Sequence, residues 1–236
     1  ADTVKAESML DLELGYQLSH SNWAFKANLY AMLYKDQLTP NGDLSSSGYT
    51  LMENVDKSYR IGIEMEGGYR FSELLRIDAN LTLSQNKVID NVYTDFNDGD
   101  AAMQTFTKTT DLALSPNVIG AAVATFSPVR NGKLQLVGKY VGKQYADNTS
   151  RDVYAIDPYF LLNIKASYTW HLKGTQEVEA QFLVNNALNH KFRLSAWVED
   201  WEDWDSVTDS SLGYTHHQAF LQQPGTNFMA RLVYRF

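Results

Sequence analysis

Apolar and polar residues alternate with a period of two along most of the chain, which indicates β-strands with two unlike faces. The last segment shows the pattern clearly, because aliphatic or aromatic residues occupy every second position up to a final phenylalanine. Its apolar face consists of Phe228, Ala230, Leu232, Tyr234 and Phe236. The opposite face carries Asn227, Met229, Arg231, Val233 and Arg235. Such a strand suits a sheet that meets lipid on one face and lines a wet interior with the other.

The same alternation predicts nine strands, at Met9–Ser19, Trp23–Asp36, Tyr59–Phe71, Leu75–Asn86, Asn117–Phe126, Lys133–Tyr140, Phe160–His171, Glu177–Asn185 and Thr226–Phe236. Short turns alternate with longer polar loops, which cover residues 39–56, 90–115, 144–157 and 189–225. Aromatic residues concentrate at the short-turn ends of the strands, as Trp and Tyr do at membrane interfaces. Short turns on one side and long loops on the other are typical of an outer-membrane barrel.

These observations predict an all-β fold, an antiparallel transmembrane β-barrel with about nine strands in this chain. Nine is an odd number, whereas self-contained bacterial barrels have an even number of strands. An open sheet edge in lipid would leave unpaired backbone groups, each costing several kcal/mol. We therefore expect residues 1–236 to be the carboxy-terminal part of a larger barrel, with the carboxy terminus in the periplasm. A miscounted strand is the alternative, and Asn117–Phe126 is the least regular segment.

Composition narrows the possible partners and sites. The 236 residues carry a net charge of −8, which argues against nucleic acid as the main partner. The chain has no cysteine, so disulfides and cysteine metal sites are excluded. No apolar run approaches the roughly 18 residues of a membrane helix, so any crossing must be made by strands.

Four stretches resemble the carboxy-terminal barrel of TonB-dependent outer-membrane receptors, particularly those of the Bacteroidetes type. The segments are Asn54–Glu66, Leu12–Tyr16, Tyr140–Asn148 and Val184–Phe192. The first departs from the family pattern at Asp56, where glycine is usual, and the second lacks the usual upstream proline. The final Phe236 resembles the end of the strand that the barrel-assembly machinery reads.

The resemblance implies a barrel of about 22 strands, plugged by an amino-terminal domain that this chain does not contain. It implies import of a scarce nutrient, such as an iron-siderophore or haem, with energy from TonB-ExbB-ExbD delivered through that plug. The expected partners are the plug, the remaining strands, outer-membrane lipid and a small-molecule nutrient. Neither a catalytic activity nor a cofactor is expected.

The longest loop holds the candidate ligand-binding residues. Trp197, Trp201 and Trp204 are interspersed with five acids, and could stack on a ligand ring or sugar while carboxylates hold a cation. Alternatively, the three indoles pack inward on the barrel mouth, since exposed tryptophan is unfavourable. His216 and His217 follow in the same loop and could ligate haem iron. Neighbouring side chains of an extended chain point in opposite directions, so an ordinary loop pair is the alternative and no metal site is predicted.

Two other classes remain open from the residues alone. An outer-membrane protease or phospholipase would carry its site near the outer rim, where His216 and Asp209 could act together. A soluble β-sheet binding module would need a second layer to cover the apolar faces. We expect no catalytic residues, because no Ser-His-Asp order is evident. The inward-facing charges are expected to be paired with one another along the lumen wall.

Overall fold

The structure is a computed structural model that describes residues 4–96, 103–205 and 210–236. Within these ranges, the side chains of residues 94–96, 103, 104, 199–205, 210–214 and 216 are not described. The described chain is almost entirely β-structure, with one short 3-10 helix, Asp152–Tyr154. The strands are β1 Ser8–Ser19, β2 Trp23–Leu44, β3 Thr50–Arg70, β4 Leu75–Phe96, β5 Met103–Asp111, β6 Val118–Val129, β7 Gly132–Val141, β8 Gln144–Tyr145, β9 Ala155–Ile156, β10 Tyr159–His171, β11 Glu177–Asn185, β12 Arg193–Asp205, β13 Ser210–Gln222 and β14 Asn227–Arg235.

Nine of these strands form one continuous antiparallel path, β1-β2-β3-β4-β6-β7-β10-β11-β14. They correspond one for one to the nine strands predicted from the alternation, including the irregular Asn117–Phe126 segment, which is β6. Neighbouring strands pair in the register that the pattern requires, with Leu29 opposite Ile63 and Ile63 opposite Leu83. The barrel does not close within the described residues, because β1 and β14 each pair with one neighbour only.

The two faces of this sheet have opposite chemistry. Large apolar side chains stand uncovered on one face, and Leu14 and Leu232 are 69% and 72% exposed. The other face carries charged groups that pair across strands, such as Lys26 with Glu66 and Arg235 with Glu179. No helix in the described ranges is long and apolar enough to cross a membrane. Because many large apolar side chains are uncovered, the apolar face of the sheet needs a nonaqueous partner.

Aromatic side chains form a belt where the sheet reaches its short turns. Tyr69 lies on Phe71 and Tyr168 on Trp170, with ring centroids 4.6 and 4.8 Å apart. Tyr234 lies two residues before Phe236, and the centroids of their rings are 5.9 Å apart. Each pair sits on the apolar face at the same end of its strand. This is the arrangement of an interfacial aromatic girdle.

The long loops predicted from polar composition are in large part extended strands. β2 and β3 continue through residues 39–56 to a tight hairpin, β4 and β5 fill much of 90–115, and β12 and β13 fill much of 189–225. Asp36 and Asp90 have left-handed φ values of 53° and 50°, which aspartate tolerates better than most residues. These two residues break the phase of the alternation. Beyond them one face of each strand packs on other protein segments, as Gln37 and Asn91 show, so the lipid-type pattern ends although the strand does not.

Buried side chains occur only at the long-loop end among the described residues. One small cluster is Val55, Val88 and Leu112, and the larger one is built around Tyr154 and Ile156. The accessible surface is 15055 Å². A compact monomer of this mass would expose about 10,700 Å². The molecule is thus an open wall with a packed region at one end.

Candidate functional site

The packed region at the long-loop end, here called the loop-end cluster, joins residues that are far apart in the chain. Ala146, Tyr154, Ile156, Ala196 and Val198 are buried together, and two partly buried residues, Leu114 and Phe220, pack against them. The cluster therefore holds the β8-β9 segment and the β12-β13 hairpin against each other. Val198 of the cluster lies against Gly42 in the distal half of β2.

Asn148 joins this cluster to the strands. Its side chain is nearly inaccessible, and its amide nitrogen donates to the carbonyl of Pro40 at 2.9 Å and to Glu53 Oε1 at 3.1 Å. Its amide oxygen accepts from the backbone N–H of Ala113 at 2.9 Å. Its backbone carbonyl accepts from Asn91 Nδ2 at 2.8 Å. One residue thus contacts β2, β3, β4 and the segment after β5, which satisfies polar groups that burial would otherwise leave unpaired.

The residues beside Asn148 form a compact turn. The buried carboxylate of Asp147 accepts from the Thr149 backbone N–H at 3.2 Å and from its hydroxyl at 2.9 Å. The guanidinium of Arg151 lies 4.2 Å from the ring centroid of Tyr154. Such side-chain to backbone bonds are typical of Asx turns. The turn orients Asn148 toward the strands.

A second set of polar contacts holds the turn from the β5 side. The hydroxyl of Ser150 donates to Asp111 Oδ2 at 3.0 Å and accepts from the Asp111 backbone N–H at 2.6 Å. Lys87 Nζ lies 2.7 Å from the other oxygen of the same carboxylate. On the opposite side, Lys143 Nζ donates to Asp152 at 2.5 Å. The hydrogen bond to Asp152, helped by one to Tyr145, raises the pKa of Lys143 above its usual value.

A cavity of about 660 Å³ lies between this turn and the distal strands. Its acidic lining consists of Asp43, Glu53, Asp56, Asp90 and Asp147. Amide side chains, two hydroxyl groups and a single guanidinium complete the polar lining, namely Asn41, Asn54, Asn91, Asn148, Tyr93, Thr149 and Arg151. The excess of carboxylates gives the cavity a negative potential, which favours cationic groups and hydroxyl donors.

The β12-β13 hairpin carries all five candidate ligand-binding residues. Trp197 is half-buried and lies opposite Ala219, and His217 is exposed and lies opposite Glu199. These two residues are diagonal neighbours on one face of the hairpin, where such pairs are about 7–8 Å apart. Val198 and Gln218, which pair with each other, point to the other face.

The remaining candidates are placed by their backbone only. Trp201 and Trp204 pair with Thr215 and Ser211 within the hairpin, and His216 pairs with Asp200. Their side chains lie outside the described residues, and so does the whole of Asp209. No group of three or more His, Cys, Asp or Glu in the described residues could hold a metal ion.

The sequence profile of the family described as TonB dependent receptor-like, beta-barrel matches residues 2–199. The chain belongs to this family. The family consists of outer-membrane receptor barrels, in agreement with the bare apolar face and the aromatic belt. No curated protein sequence matches the chain.

Solved structures of TonB-dependent receptors share the fold of this chain. It superposes on the copper transporter OprC with a TM-score of 0.63 at 15% identity, over 98% of this chain and 32% of that one. The siderophore receptor PiuA from Acinetobacter baumannii gives a TM-score of 0.63 at 13% identity, over 97% of this chain and 28% of that one. The ferric enterobactin receptor PfeA from Pseudomonas aeruginosa, as a G324V mutant, gives a TM-score of 0.57 at 18% identity. The superposition covers 97% of this chain and 31% of that one.

These comparisons decide between the classes that the residues left open. The chain spans about a third of the length of the receptors that it matches. The family and these solved structures are transporters and receptors rather than enzymes, so the protease and phospholipase alternative is set aside. A soluble binding module is excluded by the same membership.

A second cavity, of about 560 Å³, lies on the polar face of this receptor wall near the short turns. Arg76 binds Asp78 through two nitrogens at 2.6 to 3.0 Å, and Lys26 lies 3.7 Å from Glu66. Paired charges therefore line this part of the polar face. Pairing explains how a polar wall can carry many ionised groups without a strong net field.

Asn148, which joins these elements, is not among the site residues predicted from the sequence. The available signal was the run Asp147 to Ser150, whose four small polar residues are typical of a side-chain-capped turn. That run predicts a turn, but its contacts with β2 and β3 lie about a hundred residues away in the chain.

Proposed function

We propose that this chain is part of the wall of an outer-membrane receptor that imports a scarce nutrient, such as an iron-siderophore or haem, by TonB-dependent transport. The observation that carries the proposal is the nine-strand antiparallel sheet with an uncovered apolar face and a charged opposite face. A face of this kind is stable only against lipid. A charged opposite face suits a wet lumen.

Residues 1–236 act, in this proposal, as the carboxy-terminal part of the barrel, completed by further strands and a plug domain in the same receptor. The open edges of β1 and β14 support it, because each exposes a row of unpaired backbone groups. The plug would fill the lumen beside the charged face and receive energy from TonB-ExbB-ExbD. The short-turn end and the carboxy terminus would face the periplasm, and the loop-end cluster the outside.

The nutrient would bind at the long-loop end, where Trp197, Trp201, Trp204, His216 and His217 lie on one hairpin. Support comes from the position of that hairpin at the acidic cavity, which Val198 lines from the face opposite Trp197 and His217. The similar solved structures include a copper transporter, a ferric enterobactin receptor and a siderophore receptor, which makes iron or another metal complex the first class to test.

The test is uptake of radiolabelled iron, presented as ferric siderophores or haem, by cells that carry or lack the full-length gene. We expect uptake only with the gene present, and loss of uptake when TonB is removed. Uptake that is unchanged by deletion of either gene, for every iron source, would overturn the iron assignment. A full-length protein that does not fractionate with the outer membrane would overturn the receptor assignment itself.

A further inference from the structure

Two lysines face each other on neighbouring strands near the long-loop end. Lys35 of β2 lies directly opposite Lys57 of β3, and both side chains are exposed. Like charges directly opposite one another in an antiparallel pair are destabilising. A sheet that keeps such a pair gains from an anion that binds both.

In the part of the chain that the structure describes, neighbouring lysines have acidic partners but this pair does not. Lys87, on the next strand, lies 2.7 Å from Asp111, and Lys5 lies 3.3 Å from Asp36. Within the described residues, neither Lys35 nor Lys57 has a carboxylate within ion-pair distance. The described residues therefore leave these two charges available to a further anionic group.

The two lysines lie at the long-loop margin of the apolar face. The preceding row of the same face is Leu33 opposite Tyr59, and Leu33 is 45% exposed on the apolar surface. The next residue outward on β2 beyond the left-handed Asp36 is Gln37, which is buried against Ser58. The two lysines thus form the last row of the apolar face before the strands turn their side chains toward protein.

We propose that Lys35 and Lys57 bind a phosphate of an outer-leaflet lipid headgroup. The inference rests on the proposed function, because it requires that β1 to β4 cross the outer membrane with their long-loop ends outward. Directly opposed Cβ atoms are about 5 Å apart, so two flexible stems can bring both ammonium groups to one phosphate. Lysine stems also lie naturally along the apolar surface while the charge reaches the headgroup level.

The experiment uses the full-length receptor in detergent and measures lipid binding by native mass spectrometry. The probes are diphosphoryl lipid A and the same lipid without its phosphates. The variant is the double substitution Lys35→Glu with Lys57→Glu. The control is Arg130→Glu with Lys173→Glu, which reverses two charges in short turns at the opposite end of the sheet.

We expect the Lys35 and Lys57 variant to bind diphosphoryl lipid A at least about tenfold more weakly, since each lysine near an anionic surface contributes a several-fold gain. The dephosphorylated lipid should bind wild type and variant alike, and the control should retain the wild-type affinity. Raised salt should weaken the wild type toward the variant. The double substitution Lys35→Gln with Lys57→Gln, which adds no new charge, should give a smaller loss.

Equal binding of diphosphoryl lipid A by wild type and the Lys35 and Lys57 variants would overturn the inference. Displacement of the lipid by an equimolar amount of inorganic phosphate, at constant ionic strength, would assign the site to free phosphate instead and would also overturn the inference. Iron uptake by the same variants separates this inference from the proposed function. Normal uptake with unchanged lipid binding rejects only the lipid site, whereas a wild-type protein that does not fractionate with the outer membrane rejects the receptor proposal.

Discussion

Asn148 shows how much of the long-loop end depends on one side chain. Its amide and carbonyl groups contact β2, β3, β4 and the segment after β5, at distances of 2.8 to 3.1 Å. A planar amide has two donors and one acceptor, and all three roles are used here. No apolar residue of similar size could satisfy the same set of buried partners.

Asn148→Ala should therefore destabilise the loop-end cluster. The substitution leaves the Pro40 carbonyl and the Ala113 N–H without a partner, at about 1–3 kcal/mol for each buried group. Limited proteolysis of the full-length receptor should show faster cleavage within residues 144–157. The matched control is Asn80→Ala, because Asn80 is an exposed asparagine of the polar face. Equal cleavage rates for the two variants would contradict the structural role of Asn148.

Trp197 and His217 share one face of the β12-β13 hairpin, away from the loop-end cluster. If the nutrient binds there, Trp197→Ala should weaken its binding by about tenfold, as expected for a stacked aromatic contact. Titration of the full-length receptor with a ferric siderophore measures the loss. Trp170→Ala, in the aromatic belt at the other end, should leave the affinity unchanged. An unaltered affinity of the Trp197 variant would remove this face from the binding site.

At the scale of the element, each membrane strand presents two environments to successive residues. Leu136 of β7 is 42% exposed on the apolar face, while its neighbour Gln135 turns to the polar face and bonds to Thr125. Adjacent positions of one strand therefore have opposite tolerance for charge. This difference follows from the pleat and from the presence of lipid on one side only.

Leu136→Arg should destabilise the folded barrel by about 2–4 kcal/mol, the cost of a cationic side chain near the middle of the bilayer. Gln135→Arg adds the same charge one residue away, on the wet side, and should cost less than about 1 kcal/mol. Urea unfolding of the full-length receptor in lipid vesicles distinguishes the two. Equal destabilisation would show that both faces of β7 are in the same medium, contrary to a lipid-facing wall.

At the scale of the whole molecule, the two sheet edges determine how the chain behaves by itself. β1 and β14 each have one free side, and β1 also exposes a row of leucines. Unpaired strand edges in contact with lipid or water associate with other edges. Completion of the barrel removes both edges at once.

Residues 1–236 produced alone should consequently aggregate or pair through β1 and β14 when detergent is removed. Light scattering and size-exclusion chromatography provide the measurement, with the full-length receptor in detergent as the reference. A sharply folded, detergent-free monomer of this segment would contradict the proposal that it is one part of a larger wall.

The strand count and the two faces could be predicted from the sequence by itself, because a pleated strand beside lipid imposes an alternation that is visible locally. Leu10, Leu12, Leu14 and their neighbours on β1 show the pattern without any knowledge of their partners. The short-turn aromatic belt was accessible for the same reason. Each of these features depends on residues two positions apart.

Only the tertiary structure decided what happens at the long-loop end. After Asp36 and Asp90 the alternation loses its phase, and the strands continue with one face covered by other protein segments, as buried Gln37 and Thr39 show on β2. The contacts of Asn148 with Pro40 and Glu53 join positions about a hundred residues apart, and no local pattern encodes such pairs. The opposition of Lys35 and Lys57 likewise depends on the strand register. Lipid imposes the same requirement on every outward-facing residue of a strand and therefore produces a periodic sequence pattern. Packing between loops depends instead on individual pairs of residues.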